Sequence, residues 1–173
     1  MTRLEFIKEM FRKHGTDKLG HGYSMIYEKV PETAENVLEI GVGGGSSLRA
    51  WLEIFPLAHI YAIDRNAPLD IPDSRLQQFQ SKIEEFDPAQ LNGITFDLIV
   101  DDGSHDAVGI VAGFSKLHPS CRGLYVVEDV NSGTLPQVYD AMRAQSKVTS
   151  VIQTEGTDGD RVVVAQFGRV IEW

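Results

Sequence analysis

Apolar runs that stop abruptly at glycines or acids, and that alternate with helical segments, constrain this chain more than any other feature. NVLEI (residues 36–40), HIYAID (59–64), FDLIV (96–100) and GLYVV (123–127) are near-continuous in apolar residues, as strands buried on both faces are. RLQQFQ (75–80) reads as a weaker strand, and DPAQLN (87–92) as one or two helical turns. Between them SSLRAWLEIF, HDAVGIVAGFSKLH and LPQVYDAMRAQS have helical spacing, with Ser46 or Ser47 expected to cap the first and Pro136 in the first turn of the last. Strands alternating with helices give right-handed βαβ units and a mostly parallel, doubly wound α/β sheet of the Rossmann-like kind. VTSVIQTE and RVVVAQFG, separated by GTDGD, read as a closing hairpin. Upstream, Leu4, Ile7, Met10 and Phe11 mark a first helix that stops at Gly15, and a second short helix lies around residues 24–29.

With 173 residues the chain is expected to form one domain: N-terminal helices and a lid over 1–35, and the α/β core over 36–173. A formal charge of −9 without a basic patch argues against a nucleic-acid partner. No apolar run reaches membrane-spanning length, and the start MTRLEFIKEMFRKHG lacks a signal-peptide core. A single cysteine, Cys121, excludes an internal disulfide and suits a reducing cytoplasm. The expected partner is a small-molecule acceptor, with a homo-oligomer allowed.

In doubly wound sheets ligands bind at the carboxyl ends of the strands, and the polar clusters of this chain lie there. After the first strand comes LEIGVGGGSS, whose glycines let the backbone turn sharply and approach a ligand closely. Gly41, Gly43 and Ser46 occupy the three positions of a dinucleotide fingerprint, an imperfect match. Asp64 ends the second strand about 20 residues further on, where a carboxylate accepts hydrogen bonds from ribose hydroxyls, and Arg65 follows it. Asp101, Asp102, Glu128 and Asp129 end two strands expected to be neighbours, which lie about 4.8 Å apart. Converging carboxylates repel unless a cation compensates, and Mg²⁺ prefers such oxygen ligands. Adjacent strand residues face opposite ways, so Asp101 and Asp102 are expected to do different jobs, and Asp101 is counted among the candidate cofactor contacts. A plainer reading has each acid pair capping a helix or solvated. His105 follows Asp102 by three residues and is the histidine best placed to take a proton at this opening.

The segments GTDKLGHGYSMIYE, VLEIGVGGGSSLRAW, IYAIDRN, FDLIVDDGSHD and GLYVVEDV, in that order, resemble the class I S-adenosylmethionine-dependent methyltransferases. Within these they look like the Mg²⁺-dependent antibiotic-sugar O-methyltransferases of the macrocin and mycinamicin type and the related tetracenomycin rhamnosyl enzymes. The resemblance implies an antiparallel last strand, cofactor contacts from Glu39, Gly41 and Asp64, Mg²⁺ held by Asp102, Glu128 and Asp129, and His105 as general base. It further implies that Thr16, Asp17 and Lys18 close over the cofactor or substrate, with His21, Tyr23 and Tyr27 along the same lid. Ser81 is the candidate adenine contact, because FQSKIEEFDP lacks the Asp-containing loop the family pattern leads one to expect. Only a short segment precedes the motifs, where those relatives carry a substantial N-terminal region that shapes the acceptor pocket. The expected activity is transfer of a methyl group from S-adenosylmethionine to a hydroxyl of a small molecule such as a natural-product sugar. A nicotinamide-dependent oxidoreductase and a non-catalytic nucleoside-binding protein remain open as alternatives, although a dehydrogenase usually needs a second domain.

Overall fold

The computed structural model describes residues 1–155 and 161–168; the GTDGD connection of the expected hairpin lies outside the described residues. Strands β1 (Asn36–Ile40), β2 (His59–Asp64), β3 (Leu76–Gln80), β4 (Phe96–Asp101) and β5 (Cys121–Val130) pair in parallel. β7 (Arg161–Phe167) runs antiparallel to β5 on one side and to β6 (Val148–Glu155) on the other. The sheet order is β3-β2-β1-β4-β5-β7-β6, so the chain reverses its direction of travel across the sheet between β1 and β4. A crevice opens at such a switch point, beyond the carboxyl ends of the strands.

Successive strand residues point to opposite faces, which divides the core in two. Val37, Ile60, Val100 and Val126 face one way and meet α1 (Arg3–His14), α2 (Ser24–Tyr27) and α3 (Ser46–Ile54). There Trp51 of α3 is fully buried against Phe11 and Tyr27, with ring centroids 5.4 and 4.7 Å away. Leu38, Ile99, Tyr125 and Val163 face the other way, onto α4 (Ala107–Leu117) and α5 (Leu135–Arg143) through Ile110, Phe114, Leu117 and Met142. The N-terminal segment is therefore part of the packing on one face. It fixes the loop carrying Lys18 and Tyr23 against the strand ends.

Local sequence sets most of the helix ends. Thr2 and Glu5 form a reciprocal capping box at the start of α1, and Gly15 closes it in the left-handed conformation. The start of α3 differs from expectation. Its N-cap is Gly45, at φ 78°, and not Ser46 or Ser47. A Cβ at position 45 would meet the Leu69 side chain at 2.6 Å, and the Ser47 hydroxyl is drawn off to Glu39 at 2.8 Å. The expected turns over residues 87–92 are a 3₁₀ helix, Pro88–Leu91, capped by Asp87.

Candidate active site

Two adjoining clefts open at the carboxyl ends of β1, β2 and β4, of about 290 and 420 Å³, and share Gly41, Gly43 and Asp102. Gly41 stands where the two strand ends come closest. Its φ is +77°, and a Cβ there would lie 2.2 Å from the Asp102 carbonyl oxygen, so no other residue fits without displacing the β4 end. In the larger cleft Asp64 accepts a hydrogen bond from the Val42 N–H at 2.8 Å and one from the Asn66 N–H at 2.7 Å. Burial pushes its carboxyl up, but the backbone N–H groups of Val42, Asn66 and Gly43 outweigh that and hold its pKa below the ordinary value. The carboxylate is thus ionised and fixed to the glycine loop, with remaining lone pairs toward the cleft. Arg65 and Ser81 line the same cleft, the Ser81 hydroxyl donating to the Lys82 carbonyl at 2.8 Å. Thr16, Asp17, Lys18 and Ser46 line the smaller one.

Between the clefts and the core lies a buried ionic group. The Lys18 ammonium, on a residue only 1% exposed, hydrogen-bonds Glu128 Oε2 and Asp102 Oδ2, the latter at 2.8 Å, and lies 3.4 Å from Glu39 Oε1. The second Glu128 oxygen accepts from the Tyr27 hydroxyl. Burial works against the charged lysine, yet Glu128, Glu39 and Asp102 outweigh it and hold the ammonium proton far above its usual pKa. Glu39 is itself pushed up to about 7 by burial, which Lys18 only partly offsets. Lys18 therefore serves as counter-cation to acids near three strand ends. Glu39 is likewise fully buried, with its carboxylate turned to Ser47 and Lys18.

At the rim, one ligand atom each of Asp102, His105 and Asp129 lies within 4.8 Å of the other two. His105 Nε2 is 3.2 Å from Asp102 Oδ1, and Asp102 raises the imidazole pKa above its ordinary value, against a smaller opposing effect of burial. Tyr23 donates to Asp129 Oδ1 at 2.6 Å and stacks on His21, whose Nδ1 is 3.9 Å from the same oxygen. His105 and Asp129 both adopt left-handed backbone, at φ 55° and 53°. Such non-glycine strain clusters at functional sites, and here it turns both side chains toward one opening.

The structure does not bring every expected residue there. Asp101 is 2% exposed and turns away from the clefts, its Oδ2 3.4 Å from the Tyr125 hydroxyl and facing Gly113 of α4. Burial pushes its carboxyl up to about 7. A cofactor contact from Asp101 gives way to a carboxyl enclosed between β4 and α4, because the strand alternation that exposes Asp102 buries its neighbour. Glu128 is 1% exposed, tied to Lys18 and Tyr27, and is not among the three clustered donors. Tyr27 packs under the lid instead of lining it. Ser47, expected only as a helix cap, and Asn66 hold Glu39 and Asp64; a serine in the first turn of a helix and an asparagine after a strand carry no pattern that marks such a role.

No family model matches the chain. It is 34% identical over 143 residues to 8-demethyl-8-α-L-rhamnosyl tetracenomycin-C 2′-O-methyltransferase of Streptomyces olivaceus, a match covering 72% of this chain and 37% of that protein. It is 33% identical over 144 residues to mycinamicin VI 2′′-O-methyltransferase of Micromonospora griseorubida, covering 72% and 36%. The chain thus spans just over a third of the length of these curated relatives. Among solved structures, the MycE methyltransferase of the mycinamycin biosynthetic pathway, in complex with Mg, S-adenosylhomocysteine (SAH) and mycinamycin VI, superposes with a TM-score of 0.76 at 23% identity, over 96% of this chain and 57% of that one.

Proposed function

Because the chain belongs, by fold and by sequence kinship, to the class I S-adenosylmethionine-dependent methyltransferases, we propose that it transfers a methyl group from S-adenosylmethionine to a hydroxyl of a glycosylated small molecule. One observation carries this reading: the cleft anchored by Asp64 and Gly41 and the Asp102–His105–Asp129 opening share a rim at Asp102. A nucleoside held at Asp64 would place its reacting end beside a proton acceptor. The alternatives are less favoured, since the relatives and neighbours just described are methyltransferases and carry no sign of a nicotinamide enzyme.

The residues fit the groups this reading requires. Asp64 would accept the ribose hydroxyls, and the glycine loop that lines both clefts would border the methionine moiety. Two carboxylates converge at the rim, a donor set that suits a divalent ion retaining several waters. Asp102 and Asp129 would hold Mg²⁺, which supplies charge that lowers the pKa of a nearby hydroxyl and orients it. In the neutral tautomer His105 donates Nε2–H to Asp102 and keeps Nδ1 to accept a proton. The acceptor O–H would yield its proton to Nδ1 as its oxygen forms the bond to the methyl carbon. The carbon–sulfur bond breaks, its electron pair staying on sulfur. Alignment is the other large contribution, up to roughly 7–11 kcal/mol in intramolecular models. Tyr23 would fix Asp129 beneath the acceptor.

We place the reaction in the cytoplasm. Cys121 is buried, its thiol pushed up to about 12 by that burial, so it is unreactive. Among the described residues no helix is long and apolar enough to cross a membrane. The direct test incubates the protein with S-adenosylmethionine, Mg²⁺ and a panel of rhamnosylated and other glycosylated acceptors, and measures SAH release. Release with a sugar acceptor, lost when its hydroxyl is already methylated, supports the reading; release with no hydroxyl-bearing acceptor contradicts it.

A further inference from the structure

Lys116 lies in the last turn of α4 and lines neither cleft, yet it is tied to the segment that walls the larger one. Its ammonium donates to the Glu84 carbonyl at 2.6 Å and to the Phe86 carbonyl at 2.9 Å. Both bonds are charge-assisted, so each is stronger than a bond between neutral groups. The segment they hold leaves β3 at Ser81, whose N–H donates to the Asp64 carbonyl at 2.8 Å, and turns back through a Phe86 N–H to Lys82 carbonyl bond of 3.0 Å. Residues 81–84 form one wall of the larger cleft, and Gly103, Ser104 and Asp106, which lead into α4, form the facing one. Three positions on one face of α4 meet the first wall, at Gly109, Gly113 and Lys116, in i, i+4, i+7 spacing. A Cβ at position 109 would lie 3.2 Å from Glu84 Oε1, and one at 113 would lie 3.0 Å from Ile83 Cγ1. The two glycines let the helix approach, and the lysine one turn further on fastens the segment to it. Phe86 is anchored by its own ring, buried edge-on against Phe79, whereas Glu84 is exposed and its backbone is held by Lys116.

We propose that Lys116 is a positioning residue for cofactor binding: by fastening the Glu84 and Phe86 carbonyls to α4 it keeps residues 81–84 formed as the wall against which the nucleobase rests. This rests on the reading that the larger cleft takes S-adenosylmethionine with its ribose at Asp64, and adds to it a determinant of affinity that touches no part of the ligand. With the ribose at Asp64, the base extends between the two walls, and a wall already formed spares binding the cost of ordering it. α4 thus serves both sides of the cleft, since the facing wall runs directly into its N-cap at Asp106.

Calorimetric titration of the full chain with SAH, together with amide hydrogen exchange of the unliganded protein, tests this on the native chain, K116M, K116R and D87A. K116M should weaken SAH binding about tenfold, as follows if the fraction of chains with the wall formed falls to about a tenth. K116R keeps the charge and the donors and should stay within about threefold of native. D87A removes the Asp87 cap on the Ala89 N–H, just beyond the segment, and should also stay within about threefold, which separates loss of the wall from loosening nearby. Exchange should quicken in K116M over residues 81–86 and stay native in β1 and the 41–45 loop, a pattern that a general loss of stability does not give. A folded K116M with SAH affinity within about threefold of native overturns the proposal. So does K116R or D87A weakening binding as much as K116M, or exchange that quickens equally in the glycine loop. If K116M shows no cooperative melt, K116Q decides: without the charge it should weaken binding about fivefold, and native affinity in it overturns the proposal. Absence of SAH binding in the native chain removes the cofactor reading and this proposal with it, a pattern distinct from native binding that K116M leaves unchanged.

Discussion

Gly41→Ala is the smallest change expected to disturb the whole site, by an amount that follows from its geometry. The position has φ +77°, and the left-handed conformation costs an L-residue roughly 1–2 kcal/mol. The added Cβ would lie 2.2 Å from the Asp102 carbonyl oxygen and 2.7 Å from the Gly103 Cα. Both are backbone atoms held in place by the Asp102 N–H to Ile40 carbonyl bond of 2.9 Å. Forcing them apart resembles overpacking a core, about 1–3 kcal/mol. The sum is about 2–5 kcal/mol, and at about 2–4 °C per kcal/mol for a chain this size the melting temperature should fall by roughly 4–20 °C. Gly43→Ala is the control. Its φ is +47°, but nothing lies within 4 Å of the added Cβ, so only the conformational cost applies. Differential scanning calorimetry of the two variants isolates the clash, expected to separate them by ~2–12 °C with Gly41→Ala the lower. Methyl transfer should fall further in Gly41→Ala, because Asp102 carries the contacts to Lys18 and His105. Equal melting temperatures would refute the argument that the β1 and β4 ends meet at this glycine.

Asp64→Ala removes an ionised acceptor that also ties down Val42 and Asn66, and should weaken SAH binding at least about tenfold by calorimetry, since a hydrogen bond to a charged group is worth about 1.5–3 kcal/mol. His105→Ala should lower turnover by about 10²–10⁴ with cofactor affinity nearly unchanged. In the native enzyme turnover should fall as pH drops through the His105 pKa, because only the neutral ring accepts a proton, and this limb should vanish in the variant's pH–rate profile. Chelation should abolish turnover and leave SAH affinity within about threefold, since Asp64 and the glycine loop need no ion; full turnover in excess chelator would eliminate the metal.

What could be read in advance divides along a physical line. The apolar runs, the β-to-α alternation and the acids at strand ends are local patterns, and β1 to β5 fall where those patterns lie. The N-cap of α3 was not legible, because Ser47 has a better partner in Glu39, eight residues away on a different element. Adjacent acids at a strand end must face opposite ways, but which of Asp101 and Asp102 meets the cleft depends on α4 covering one face and the Lys18 loop the other. GTDK marks a functional loop by resemblance. That its lysine would be a buried counter-ion to Glu39 and Glu128, and not a lid residue, follows only from tertiary packing, since nothing in the spacing of residues 18, 39 and 128 announces their meeting. Of the four acids at the two strand ends, Asp102 and Glu128 meet a cation the chain itself supplies, Lys18.

The central claim is that the cleft between Asp64 and Asp102 receives a sulfonium nucleoside. It is tested most directly by titrating the protein in a calorimeter with SAH and, separately, with NAD, each in the presence and absence of Mg²⁺. The account expects one SAH per chain, binding with or without the ion and lost in Asp64→Ala, and no measurable heat with NAD. Saturable binding of NAD with no binding of SAH would contradict it.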